Sequence, residues 1–351
     1  MRRIPRVLVI ATSRKTRGGI TAVVKAHETG GQWKKYHCRW IQTHRDGPTW
    51  RKLWYLVTAL IEYVVLLPWY DVVHIHVGVF ASVTRKMIFA MLAKSFHKKL
   101  IVHFHPASEE HLTNLAWVNR FKKLFDLSDL LIVLSPHWMN VIHETYPDRK
   151  YRMTFLYNPC PIVKRDFSKR ENVVLFAGTL IDRKGYHRLL QAFAKIADKY
   201  PTWRIEFAGN GEIDKARQLQ KKLGIPKQQV RYLGWVSGEE KNKAFQRASI
   251  YCLPSRGEGF PMGVLDALAY GVPVITTPVG GIMDAMTDGV DGLIYDIYDI
   301  DKLAKCLDKM MGSQSCRMEI QTAADKLVNG VFSVRVVCQK LDDIYKSLFY
   351  S

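Results

Sequence analysis

Cysteine never occurs in this sequence in a C-x-x-C spacing or beside a pair of histidines. The six present (Cys38, Cys160, Cys252, Cys306, Cys316 and Cys338) are scattered over 351 residues. Such scatter excludes a disulfide scaffold and a structural zinc module, and it fits a reducing compartment. Internal repeats and low-complexity tracts are absent, and a 48% hydrophobic, 24% charged composition excludes wholesale disorder. Acid is scarce: 32 Asp and Glu stand against 52 Lys and Arg, a net charge of +20. The imbalance is local. Residues 1–168 hold 26 basic and 11 acidic side chains (+15), and residues 169–351 hold 26 and 21 (+5). A field of that kind attracts an anionic partner, whether nucleic acid, acidic membrane or phosphorylated substrate.

Long hydrophobic runs are equally few. The opening MRRIPRVLVIATS has an apolar run, Val7–Ala11, too short for a secretory signal, so it reads as a first buried strand. Residues 53–70 are the most apolar stretch, but they carry Glu62 and Pro68 and fall short of the about 20 apolar residues of a membrane span. They read as a buried or interface-lying helix. Trp50, Arg51, Lys52 and Trp54 at its start suit either a membrane surface or ordinary amphipathic packing.

What the chain does contain is alternation. Strand candidates at Val7–Ala11, Val72–His76, Leu100–His105, Leu130–Leu134 and Met153–Leu156 are followed, in the second half, by Val173–Ala177, Arg204–Ala208, Val230–Leu233, Ile250–Leu253, Val272–Thr276 and Gly292–Ile294. Helical patterns such as Gly185–Lys199, Ile213–Leu223, Glu239–Ala248 and Val264–Ala269 lie between them. Apolar strands separated by helices predict parallel α/β sheets covered on both faces. The length suggests two domains. The polar, proline-bounded segment at 160–172 predicts a boundary at 168/169.

The segment with most chemistry is Pro254-Ser-Arg-Gly-Glu258-Gly-Phe260-Pro261-Met262-Gly263-Val264-Leu-Asp266, between a strand and a helix. The N–H groups of a helix start and its dipole seat an anion. Two nearby carboxylates, Glu258 and Asp266, suit hydroxyl groups, so the combination fits a polyol phosphate. Gly257, Gly259 and Gly263 would let backbone approach a ligand closely.

This stretch resembles the E-x7-E segment of retaining glycosyltransferases of the GT-B fold, family 4. Phe176-Ala-Gly-Thr179-Leu180 with Lys184-Gly185, the turn Ala208-Gly-Asn210-Gly211, Gly280-Gly-Ile-Met-Asp284 and Gly18-Gly19-Ile20 resemble further family motifs in the family's order. The resemblance implies two Rossmann-like domains facing across a cleft. Residues 1–168 would take the acceptor, residues 169–334 the nucleotide sugar, and a helix from 335 to 351 would return to the first domain. It further implies that Glu258 and His105 contact the donor sugar and that Asp266 holds the ribose. The backbone of Phe260, Pro261, Met262, Gly263 and Val264 would meet sugar and phosphate, with Asn210 also on the donor side. Lys184 would neutralise the departing diphosphate, and Gly18 and Gly19 would form the loop beneath it.

Three departures stand out. Asp266 and Asp284 replace the usual Glu, and Thr179 replaces the usual Arg. A diphosphate leaving group without a metal wants a second cation, for which Arg183 is favoured over Arg14, Lys15 and Arg17. No D-x-D-like pair is expected beside the nucleotide, so neither metal nor cofactor is implied. His74, His76, His103 and His105 form two H-x-H pairs, each on one strand face. Without accompanying acids they suit hydrogen bonding, with His105 as a substrate contact, better than metal. Basic clusters (Arg2-Arg3-Arg6, Lys34-Lys35, Lys98-Lys99, Arg120-Lys122-Lys123) are solvated surface or face an anionic membrane and a lipid-linked or polysaccharide acceptor. The expected location is cytoplasmic, with the basic half peripheral at the inner face of a membrane. A nucleotide-sugar epimerase and a nucleic-acid binder are the alternatives. The second lacks a recognisable RNA-binding motif, and no nucleic acid is expected as a partner.

Overall fold

The computed structural model describes residues 4–350; Arg2 and Arg3 lie outside them. The chain forms two compact units. One runs to Pro159 and resumes at Val331, and the other is Cys160–Gly330. The second unit begins at Cys160, ahead of the 168/169 cut, and two arginines, Arg165 before that cut and Arg170 after it, fasten the connecting segment to it. Arg165 donates to the carbonyls of Ala269 (2.8 Å) and Leu268 (3.1 Å), and Arg170 to those of Phe245 (2.8 Å) and Ala248 (2.6 Å).

In the first unit, β1 (Val7–Ala11), β2 (Arg39–Gln42), β3 (Val72–Val77), β4 (Lys99–Phe104), β5 (Leu130–Val133) and β6 (Met153–Phe155) form a parallel sheet in the order β2-β1-β3-β4-β5-β6. The sequence pattern locates all of these except β2. That edge strand has four residues, RWIQ, with an exposed arginine, so it carries neither a β-branched run nor a clean alternation. The terminal helix Val334–Tyr350 belongs to this unit: Leu341 and Leu348 enter its core beside Val7 and Ile101, and Lys35 pairs with Asp342 at 2.6 Å.

In the second unit, β7 (Val173–Ala177), β8 (Arg204–Ala208), β9 (Val230–Gly234), β10 (Ile250–Leu253), β11 (Val274–Thr276) and β12 (Leu293–Ile294) are again all parallel, in the order β12-β11-β10-β7-β8-β9. Read from β9, this is the 3-2-1-4-5-6 order of a doubly wound Rossmann sheet, with its reversal point between β7 and β10. Each unit is therefore a Rossmann-like α/β domain.

The apolar stretch at 53–70 folds as helix Thr49–Leu66 with a following turn, Leu67–Trp69. It is not buried. Only Ala59 and Tyr63 of the helix are covered, while Trp50 and Trp54 are about two-thirds exposed (67% and 64%).

Pairing of β3 with β4 sets His76 opposite His103, so strand alternation brings His74, His76, His103 and His105 to one buried face. The rings stack at 4.5–5.5 Å between centroids, and His27 joins from the Gly19–Glu28 helix. Nδ1 of His74 meets the Tyr345 hydroxyl at 2.8 Å and Nδ1 of His76 meets Nε2 of His105 at 3.0 Å, while both ring nitrogens of His103 have no partner among the described residues. Single nitrogens of His74, His76 and His103 come within 4.8 Å of one another. Their planes, however, are inclined by only 10–34°. Lone pairs lie in the ring plane, so stacked rings cannot converge on one ion at about 2 Å. Lys86, buried and donating to the His76 carbonyl, has its pKa lowered to about 7 by burial, so only part of a like charge stands beside the rings near neutral pH. The arrangement is a packed ladder of neutral imidazoles rather than a cation site.

Burial holds these histidines well below the ordinary value, to about 4 for His27 and about 3 for His105. An unfolded chain takes up protons from about pH 6.5 downward, whereas the folded ladder does not. Its contribution to stability is therefore complete above pH 6.5 and is lost as pH falls toward 4, at roughly 2 kcal/mol by pH 5 for each of His27 and His105. Urea midpoints measured from pH 7.5 down to 5 should fall steadily, and His103→Phe should make the fall shallower. A flat wild-type profile would contradict the ladder's being neutral.

Candidate functional site

In a doubly wound sheet the strands on either side of the reversal point send their following helices to opposite faces, leaving a crevice at their carboxyl ends. In the second unit those strands are β7 and β10. The loop after β7 carries Arg183 and Lys184, and the loop after β10 carries Ser255 and Glu258. Sequence separation of about seventy residues thus closes to contact. Lys184 Nζ lies 2.8 Å from Glu258 Oε1, Ser255 Oγ donates to the same oxygen at 2.9 Å, and Arg183 Nη1 is 3.6 Å away. The Arg183 guanidinium also donates to the Gly257 carbonyl, and the Arg256 N–H returns a bond to the Arg183 carbonyl at 2.7 Å. Two cations and one carboxylate, all largely shielded from solvent, gather at one point of the crevice, and charged donors of this kind suit an anion.

Local backbone explains why the loops meet so closely. Lys184 ends a short turn, Asp182–Lys184, and Gly185 follows in the left-handed region (φ 74°). A Cβ there would stand 1.9 Å from the Pro254 carbonyl oxygen, so only glycine lets the two loops approach. Gly263 has a different reason from the one its sequence suggests. Its absent side chain makes room for the Tyr251 hydroxyl, which a Cβ would meet at 2.1 Å, rather than for a ligand.

Helix Met262–Ala269 starts directly after this loop, with Pro261 as its cap and the N–H groups of Met262 and Gly263 ahead of the intrahelical ladder. Phe260 and Val264 are buried beneath it. Asp266 lies on the same helix, buried, and burial raises its pKa against the opposing pull of the Lys241 ammonium 2.7 Å away. Sequence reading missed Lys241 because it comes from another helix, Gly238–Arg247, and belongs to no motif. Ser255, by contrast, stands inside the Pro254–Asp266 segment, whose sequence pattern gives it no role. Asn210 is exposed and accepts from the Trp235 N–H of the loop after β9 at 2.9 Å. Asp284 is exposed after the Gly280–Ile282 turn. Asp299-Ile300-Asp301 spells D-x-D at the start of another helix. Yet Asp299 caps helix Ile300–Gly312 through the Lys302 N–H, and Asp301 pairs with Lys195 at 2.8 Å.

The remaining predicted residues belong to the first unit, whose own reversal point lies between β1 and β3. Gly18 caps the Gly19–Glu28 helix after β1, and His105 follows β4 as the end of the histidine ladder. Of the other cations weighed against Arg183, Arg14 is occupied by Glu28 and stacks over Trp40 at 4.4 Å.

Residues 162–327 match the family model of glycosyl transferases group 1. A D-inositol 3-phosphate glycosyltransferase of Corynebacterium urealyticum is 28% identical over 250 residues, covering 65% of this chain and 58% of that protein. The chain spans about half the length of the curated relatives it matches. Among solved structures, sucrose-phosphate synthase from Thermosynechococcus elongatus superposes with TM-score 0.80 at 16% identity, covering 99% of each chain. Anabaena Alr3699/HepE, in complex with UDP and glucose, gives 0.78 at 17% identity, over 98% of this chain and all of that one. At such identities the likeness is one of fold, the GT-B fold, and it extends over both Rossmann-like units. Residues 162–327 thus match the glycosyl transferases group 1 family, in a chain whose two units share the GT-B fold.

Proposed function

We propose that this chain transfers a glycosyl group from a nucleotide-sugar donor to a hydroxyl of a glycan or lipid-linked acceptor, with retention at the anomeric carbon. The carrying observation is the convergence of Lys184 and Arg183 on Glu258 at the reversal point of the second sheet. The family match of residues 162–327 and a solved GT-B relative holding UDP and glucose support the donor class. A curated relative named for transfer to inositol phosphate supports a hydroxyl acceptor.

In the proposed reaction the diphosphate of the donor sits at the start of the Met262–Ala269 helix, against Lys184 and Arg183. Arg183 takes the part of the arginine that Thr179 replaces. Glu258, released from these cations by the incoming phosphate, accepts hydroxyls of the sugar, and Asp266 accepts those of the ribose. The bond from the anomeric carbon to phosphate oxygen breaks while the acceptor oxygen bonds to the same face of that carbon. The acceptor proton passes to the departing phosphate, so no protein nucleophile is required. Fixed charge placed where the leaving group develops its own contributes most of the rate in this scheme. The first unit is assigned to the acceptor, with the Gly18–Gly19 turn and His105 at the ends of its strands. Its basic surface is assigned to an anionic membrane at the cytoplasmic side. A GT-B epimerase would need further carboxylates beside Glu258, whose carboxylate meets Ser255, Lys184 and Arg183.

Replacing Glu258, Lys184 or Arg183 by Ala should lower turnover by about a hundredfold or more each, with circular dichroism and melting temperature little changed. Near-normal turnover of Arg183→Ala would return the second cation to another residue, and of Glu258→Ala would remove it from the active site. Transfer should persist in EDTA, and proton NMR of the first-formed product should show the donor's anomeric configuration. Inversion, or activity restored only by a divalent ion, would overturn the scheme. A thermal-shift panel of nucleotide sugars identifies the donor, since a bound ligand raises the midpoint by mass action.

A further inference from the structure

The most conspicuous feature outside the donor site is the helix Thr49–Leu66, about 27 Å long at 1.5 Å per residue. Trp50, Leu53, Trp54, Ile61 and Val65 recur at helical spacing along its outer side, and Trp69 follows on the next turn; all six are 59–67% exposed. Cations rim this stripe. Arg51 lies over the Trp50 ring, Lys52 is exposed, and Lys98 reaches the Pro68 carbonyl at 3.2 Å, bringing Phe96 and Lys99 to the far end. The helix's one acid, Glu62, is paired with Arg39 at 2.7 Å, and no Asp or Glu occurs between Asp71 and Glu109.

We infer that this face docks on an anionic lipid bilayer, with the helix lying in the plane of the headgroups. Large apolar side chains on one side, tryptophans near both ends and lysines and arginines at the rim match the chemistry of that boundary. A second copy of the chain does not match it: a two-fold contact would set the same cations against one another in units that each carry the strongly positive half of the sequence. By length and composition the Thr49–Trp69 segment is also able to cross a membrane. Its inner side, however, is committed to the protein, with Tyr63 buried and its hydroxyl donating to the Phe89 carbonyl at 2.9 Å, so the helix lies on the surface rather than spanning. The docking rests on the proposed transfer reaction only for its purpose, as a means of reaching a lipid-linked acceptor.

The test is flotation of the full chain with vesicles of phosphatidylcholine alone or equimolar with phosphatidylglycerol, without donor or acceptor. Binding should require the anionic lipid, weaken in high salt, and shift tryptophan emission to the blue. The combined variant Trp50→Ser/Trp54→Ser/Ile61→Ser should lose about tenfold or more in affinity while keeping its melting temperature and its donor-induced thermal shift. Unchanged vesicle binding by that variant would overturn the inference. So would a wild-type dimer in sedimentation that the variant turns to monomer, or resistance to carbonate extraction from membranes. Loss of sugar transfer with vesicle binding intact would instead count against the proposed reaction alone.

Discussion

Parallel strands cannot be joined by tight turns, and that constraint organises everything this chain does. Each strand must be followed by a crossover that carries the chain back to the sheet's amino end, so every loop leaving a carboxyl end is free of pairing duties. Where the strand order reverses, two such loops diverge and leave room between them. In the second unit the reversal falls between β7 and β10. Arg183, Lys184, Ser255 and Glu258 all stand on those two loops. Their convergence is a consequence of topology, and the polar side chains add the chemistry.

The donor-side cluster also shows how charge is kept usable. A lone pair of cations in a sheltered loop would repel each other; Glu258 lies between them and holds both, and the Ser255 hydroxyl fixes the carboxylate. Such a cluster is organised before any ligand arrives, which is the condition for electrostatic stabilisation without reorganisation. Glu206 provides the contrast. It is fully buried in the middle of β8, held at 2.9 and 2.6 Å by Arg204 at that strand's start and Arg247 just ahead of β10, away from the strands' carboxyl ends, and reads as structural. Position relative to the strand direction, more than residue type, separates the two clusters.

The first unit is built on the same sheet logic and a different interior. Stacked neutral imidazoles, a buried lysine and the tyrosine of the terminal helix fill one face between β3 and β4. The same unit leaves a helix of large apolar side chains uncovered. A domain that buries histidine and lysine while exposing tryptophan and isoleucine departs from the usual partition of side chains, and both departures were only half visible beforehand. The H-x-H pairs announced a shared strand face, yet nothing announced that His27 would join them. The apolar run at 53–70 announced a helix, yet hydropathy cannot say which side of it meets water.

The sequence by itself determined the alternation of strands and helices, most strand limits, the spaced motifs of the second unit and the identity of the acidic and cationic residues on its loops. These are local properties: a β-branched run, a glycine needed for a turn, or a proline at a helix start acts within a few residues. Tertiary structure alone decided that Arg183 and Lys184 share one carboxylate, that Lys241 neutralises Asp266, that Gly263 yields space to Tyr251, and that the edge strand β2 exists at all. Each depends on groups brought together by a crossover or by packing, and neither the register of a sheet nor the facing of a helix is written in any single stretch of chain.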